Sequence, residues 1–178
     1  MDFKWLNEGQ INTENNKIEM FAPAQSDFFF NNGAVSEEGI TPESLCNAPF
    51  YHTEIAGDFV MRVKVSHDFK DTYDSASIMV MQDMKNWAKS CFEMTDFGTH
   101  AVVSVVARNG ECDDANGCNI DGNEVWLQVC RCGNSFHTPV LEYDPCTPPE
   151  VLLVSSRHFP LLPTFLPHIL QKLPQLFL

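Results

Sequence analysis

Glu93 and Asp96 are the nearest approach in this sequence to the carboxylate pair of a glycan hydrolase. A retaining hydrolase needs its two carboxyl groups about 5 to 5.5 Å apart. On a strand they must share one face, at i and i+2 or at i and i+4. The offset from Glu93 to Asp96 is odd, and Asp96-Phe97-Gly98 reads as a turn, so the two diverge. No catalytic pair is legible. G-x-S-x-G, P-loop and dinucleotide fingerprints are missing too, and the sequence leans away from an enzyme.

Asp113, Asp114, Asn116, Asn119, Asp121 and Asn123 supply oxygens of the kind calcium takes. Neither aspartate has a glycine at its sixth place, as an EF-hand loop demands. The expectation is a solvated loop from Glu111 to Asn123, with no metal. The seven cysteines are odd in number and give no C-x2-C pair. His52, His67 and His100 stand apart from one another in sequence. No cofactor is expected. The opening MDFKWLNEG lacks the basic and apolar regions of a secretory leader, and no N-x-Ser/Thr acceptor occurs. Free thiols and a cytoplasmic location follow as expectations.

The residues best suited to a ligand lie at alternating positions. Trp87, Lys89 and Glu93 share one parity in "NWAKSCFEM". Trp126 and Gln128 share one in "EVWLQVCR", and Arg62 and Lys64 share one in "GDFVMRVKVSHDF". Indole faces flanked by amides and charges suit the C–H face and hydroxyls of a sugar. A groove for a carbohydrate or sugar phosphate is therefore expected at Trp87, Lys89, Glu93, Trp126, Gln128 and Arg62. The plainer alternative is that the tryptophans pack under loops or against a partner protein.

These positions require strands. Phe59, Met61, Val63 and Val65 alternate with Val60, Arg62, Lys64 and Ser66, the period of a half-buried strand. "SASIMVMQD" is apolar on both faces and reads as central. "NWAKSCFEM", "HAVVSVVAR" and "EVWLQVCR" follow, after shorter strands in "KIEMFA", "DFFFNN" and "FYHTEI". Asn32-Gly33, Asn109-Gly110 and Asp121-Gly122-Asn123 mark turns, and 34–49 reads as a long loop. No helical period is visible up to Asn134, so an all-β antiparallel sandwich or barrel is expected. The formal net charge of -13 argues against nucleic acid, whose phosphates need clustered Lys and Arg.

The string "FKWLNE", "SDFFFNN", "APFYHTEIAGDF", "VSHDFKDTYDSASIMV", "KNWAKSCFEM", "VVSVVARNGECDDANG" and "NEVWLQVCRCGNSF" resembles the DUF1349 family, which includes the "regulation of enolase" protein. The resemblance covers positions 3 to 136. It implies a concanavalin A-like jelly-roll β-sandwich and a place among lectins and glucanases, where the concave sheet face is a common ligand surface. It also implies a non-catalytic domain that binds carbohydrate or regulates its metabolism, with a glycan-active hydrolase as the alternative.

Past Phe136 the pattern breaks. Every glycine lies at or before Gly133, and eight of the eleven prolines lie after it. "FPLLPTFLPHILQKLPQLFL" carries proline too often for a helix and is too interrupted to span a bilayer. Only "PEVLLVSSRHF" suggests a strand. The expectation is a β-sandwich over 1–136, incomplete at its end. Residues 137–178 are then a foreign segment such as a frameshift or retained intron would produce, and a product without function is a further alternative.

Overall fold

The computed structural model describes residues 2–14, 17–32, 44–137, 140–141 and 175–177. All of its regular elements are strands: β1 (Lys4–Leu6), β2 (Gln10–Glu14), β3 (Lys17–Phe21), β4 (Phe28–Phe29), β5 (Leu45–Cys46), β6 (Phe50–His52), β7 (Phe59–Ser66), β8 (Ser75–Asp83), β9 (Asn86–Met94), β10 (His100–Arg108), β11 (Glu111–Asn119), β12 (Glu124–Cys132), β13 (Ser135–His137), β14 (Val140–Leu141) and β15 (Gln175–Phe177). The all-β expectation holds. Among the described residues no helix is long and apolar enough to cross a membrane.

Two sheets form the centre. β8 to β11 make a four-stranded antiparallel meander in the order β11-β10-β9-β8. Its β10–β11 link is a two-residue turn in which Asn109 (φ 54°) and Gly110 (φ 83°) are both left-handed, the conformation an Asn-Gly hairpin favours. The second sheet runs β13-β12-β7-β15, with β12 and β7 antiparallel over their whole length.

The alternation read from the sequence sets what lies between the sheets. Val125, Leu127 and Val129 from β12 and Phe59, Met61, Val63 and Val65 from β7 meet Ile78, Phe92 and Val102. Phe92, Val102 and Leu127 are fully buried there. Each such side chain contributes about 1.5–3 kcal/mol by leaving water.

The other face of the four-stranded sheet carries a second core. Trp87, Cys91, Val103, Val105 and Ala107 pack with Phe28, and Leu6, Phe30, Cys46, Ala48 and Phe50 close over them. The amino-terminal strands β1, β4, β5 and β6 thus form a further layer. Gly9 is needed where that layer turns, because a Cβ there would lie 2.7 Å from Pro49 Cβ and 3.3 Å from Trp5 Cη2.

Two sequence expectations change, and a third lies outside the described residues. Glu111 to Asn119 is a strand and not a loop, since β10 offers it a full antiparallel edge. Its polar residues are tolerated because an edge strand is largely solvated. The stretch from 34 to 49 contains β5 at its end, while 33–43 lie outside the described residues. The strand suggested in "PEVLLVSSRHF" also falls outside them. In the carboxy-terminal segment, β14 pairs Leu141 with Trp126 and Val140 with Leu127, in the same register that pairs His137 with Cys130. β15 lies parallel to β7, with Leu176 opposite Met61.

Candidate functional site

The six candidate side chains lie on the two sheet faces that point away from the first core, one on each side of it, and four of them, Arg62, Trp87, Lys89 and Gln128, are buried there. Trp87, Lys89 and Glu93 have odd parity on β9, and the even residue Phe92 points into the core. Arg62, Trp126 and Gln128 have even parity on β7 and β12, whose odd residues line that same core. A single groove holding all six is therefore not formed.

The β9 group is mostly interior. Trp87 is 4% exposed, packed edge-on against Phe28 and stacked on Phe30 at 6.0 Å. It is a core residue, and the packing alternative was the right one for this indole. Its Nε1 has no hydrogen-bond partner among the described residues. Lys89 is 7% exposed, and its Nζ donates to Asp27 Oδ1 at 2.6 Å. Burial alone would lower the Lys89 pKa, but the negative groups around it more than offset that and hold it above its ordinary value. Cys91 is pushed up to about 11 by burial and is neutral at physiological pH, so Asp27 is the neighbour that matters there. Glu93 is half-buried at the open end of this face, in a row with Ser75 and Ala101. Desolvation lifts it to about 7, helped by Asp27, Asp114 and Asp96 and opposed by Lys89. No hydrogen bond or ion pair within 4.0 Å engages Glu93 among the described residues.

The β7–β12 group differs in kind. Arg62 and Gln128 are directly opposed, and Arg62 Nε donates to Gln128 Oε1. Arg62 is 7% exposed and Gln128 0%. Among the described residues Gln128 Nε2 is buried without a partner, and no carboxylate lies within ion-pair distance of Arg62. One step along the sheet, half-buried Trp126 is opposed to Lys64, whose Nζ reaches Glu124 Oε1 at 2.5 Å. One step the other way, Cys130 is opposed to Val60 and pushed up to about 11 by burial. The face thus carries a half-buried indole beside a buried guanidinium and a buried amide whose N–H has no partner among the described residues.

The remaining expectations resolve individually. Asp113 and Asp114 are successive strand residues and project to opposite faces, so they do not cradle one ion. No group of three or more metal-ligating side chains occurs among the described residues. Asp74 accepts the backbone N–H groups of Lys70 and Asp71, each at 3.0 Å, and Tyr73 is left-handed and exposed. These two residues build a turn ahead of β8. Sequence reading missed the polar pocket of Gly98, Thr99, His100, Asn119, Ile120, Asp121 and Gly122, where His100 Nδ1 lies 2.7 Å from Gly122 O. Its residues come from two turns that only the β10–β11 pairing brings together.

No curated protein matches the chain. Among solved structures it is similar to a functionally unknown protein from Saccharomyces cerevisiae, with a TM-score of 0.66 and 21% identity over 85% of this chain and 77% of that one. At that identity the likeness shows the fold alone. The family model described as a protein of unknown function, DUF1349, matches residues 5–144, past Phe136 and through β14. The chain belongs to the DUF1349 family.

Proposed function

We propose that this protein is a non-catalytic, concanavalin A-like jelly-roll domain that binds carbohydrate on the outer face of β7 and β12. The observation that supports the reading most is the buried, half-satisfied Arg62–Gln128 pair beside the half-buried Trp126. A buried amide N–H left unpaired costs about 1–3 kcal/mol. A ligand hydroxyl or oxyanion would satisfy it while a sugar ring rests on the indole. A role in regulating carbohydrate metabolism is the wider context of this reading.

The hydrolase reading has one observation in its favour. Glu93, at about 7, has the protonation behaviour of a general acid. Asp27, a neighbouring carboxylate, is already committed to Lys89.

A broad glycan array followed by calorimetric titration tests the proposal. The expected result is binding that Trp126→Ala weakens at least tenfold and that Glu93→Gln leaves unchanged. Binding lost in Glu93→Gln, with release of reducing ends, would favour the hydrolase. Silence across the array would end the carbohydrate reading.

A further inference from the structure

We infer that the loop end of the sandwich is a docking surface for a basic segment of a partner protein, and that an arginine side chain of that segment enters the cleft at His100 and Asp121. The inference is independent of the carbohydrate reading, which concerns a different face. Three connections meet at this end. The β7–β8 loop is tied to β9, where Tyr73 N–H donates to Met94 O at 2.7 Å. The β11–β12 loop is tied to β7, where His67 N–H donates to Asn123 O at 3.1 Å, and to β10, where Ile120 N–H donates to His100 O at 2.8 Å. The β9–β10 turn is closed by Thr95 N–H donating to Thr99 O at 2.9 Å. Tyr73, Phe97 and Asp121 therefore share one end of the molecule.

This end is open to solvent. Phe97 is 77% exposed and Tyr73 65%, the two most exposed large apolar side chains among the described residues. Tyr73 takes φ 70°, a conformation that a bulky side chain adopts only at a cost, and its loop holds the ring in water. Exposed aromatic faces are surfaces on which guanidinium groups stack. Next to Phe97 lies a cleft of about 290 Å³, lined by Gly98, Thr99, His100 and residues 119–122. A Cβ at Gly98 or Gly122 would meet nothing within 4 Å, so the space beside both glycines is clear. The cleft is rich in acceptors. Gly122 O can only accept, so His100 Nδ1, 2.7 Å away, carries the proton and Nε2 keeps its lone pair. The Asp121 carboxylate is exposed, and no ion pair engages it among the described residues. A guanidinium is a donor only, and its pairing with a carboxylate is charge-assisted.

Charge selects the kind of partner. The three connections carry Asp68, Asp71, Asp74, Asp96 and Asp121 against a single Lys70. Such a field repels nucleic acid and anionic lipid and attracts cationic groups. No group of three or more metal-ligating side chains occurs among the described residues, so these acids do not converge on one ion. Acids spread over a surface fit cations spread along a chain, and the exposed rings favour arginine over lysine.

Fluorescence anisotropy of labelled hexa-arginine, hexa-lysine and hexa-glutamate with the full chain tests this. Hexa-arginine is expected to bind, hexa-lysine to bind more weakly and hexa-glutamate not to bind. Replacing both rings, Tyr73→Ser with Phe97→Ser, is expected to weaken hexa-arginine binding about tenfold, since each exposed ring adds a modest cation–π contribution. Both rings are exposed, so the melting temperature should hold. Phe21→Ser, on the exposed β3 strand, is the control and is expected to leave binding unchanged. Asp121→Asn is expected to narrow the gap between arginine and lysine, because it removes a carboxylate that the guanidinium fork engages. A gap unchanged by Asp121→Asn would overturn the cleft as the arginine site. Equal losses in the ring and control variants, or equal affinity for arginine and lysine, would reduce the binding to bulk charge and overturn the docking surface. Absence of binding would overturn it as well. Complete displacement of hexa-arginine by calcium at constant ionic strength would mark a metal site and overturn the protein partner.

Discussion

Glu93 is the residue whose charge state the fold controls most visibly. Its unfolded carboxyl titrates near 4.5, and in the folded protein desolvation lifts it to about 7. Between those values the folded state holds a proton that the unfolded state has lost. Stability must therefore fall as pH rises from about 4.5 to 7, then level off. The full shift would be worth a few kcal/mol, and solvent at the half-exposed carboxyl reduces it to the order of 2 kcal/mol. Chemical denaturation across this range should show that decline in the wild type and a shallower one in Glu93→Gln. Identical slopes would mean that the carboxyl is solvated. None of this could be read from residue types, because the effect comes first from burial, with Asp27, Asp114 and Asp96 adding to it and Lys89 opposing it, and only the fold sets these. Parity separates Arg62, Trp126 and Gln128 from the odd-numbered residues that line the first core, but it does not foretell that Arg62 and Gln128 are buried. It could not reveal that β1, β4, β5 and β6 would roof over Trp87, since parity gives the side of a strand and not what covers that side.

At the scale of elements, the strands differ sharply in what they contribute. β12 lies between β7 and β13 with β14, and Leu127 is fully buried at its centre. Leu127→Ala should cost about 3–4 kcal/mol, from lost burial and the cavity left behind. Among the described residues the β2–β3 hairpin pairs only with itself, with Ile11 opposite Met20 and Thr13 opposite Ile18. An isolated hairpin is marginal in water. Ile18→Ala should change global stability by no more than about 0.5 kcal/mol. Urea titrations of the two variants check both numbers, and a comparable loss in both would mean that the hairpin is packed in solution. The long strands β7, β8, β9, β10 and β12 were legible because alternation or apolar density marks them. β11 was not, since "ECDDANGCN" has turn composition and becomes a strand only through the edge that β10 presents. β1 and β5 span only two or three residues each, too short for a period to show, whereas β4 falls within the strand read in "DFFFNN".

For the whole molecule, the question is where the sandwich ends. β13 and β14 pair with β12 in one common register, and the family match reaches residue 144. A chain ended after Phe136 loses β14 and bares the β12 edge at Trp126 and Leu127. Exposed edges of this kind template association. By size-exclusion chromatography the 1–136 chain should elute as aggregate, and the 1–144 chain as a discrete species. Equal behaviour of the two would show that residues 137–144 contribute nothing to the fold. The account as a whole stands or falls on which outer face meets a ligand. Backbone amide chemical shifts, followed by NMR during titration with glucose 6-phosphate, test that most directly. The predicted result is a set of shifts confined to residues 60–64 and 126–130, with 87–93 unmoved. Shifts centred on Trp87 to Glu93, or none on either face, would contradict it.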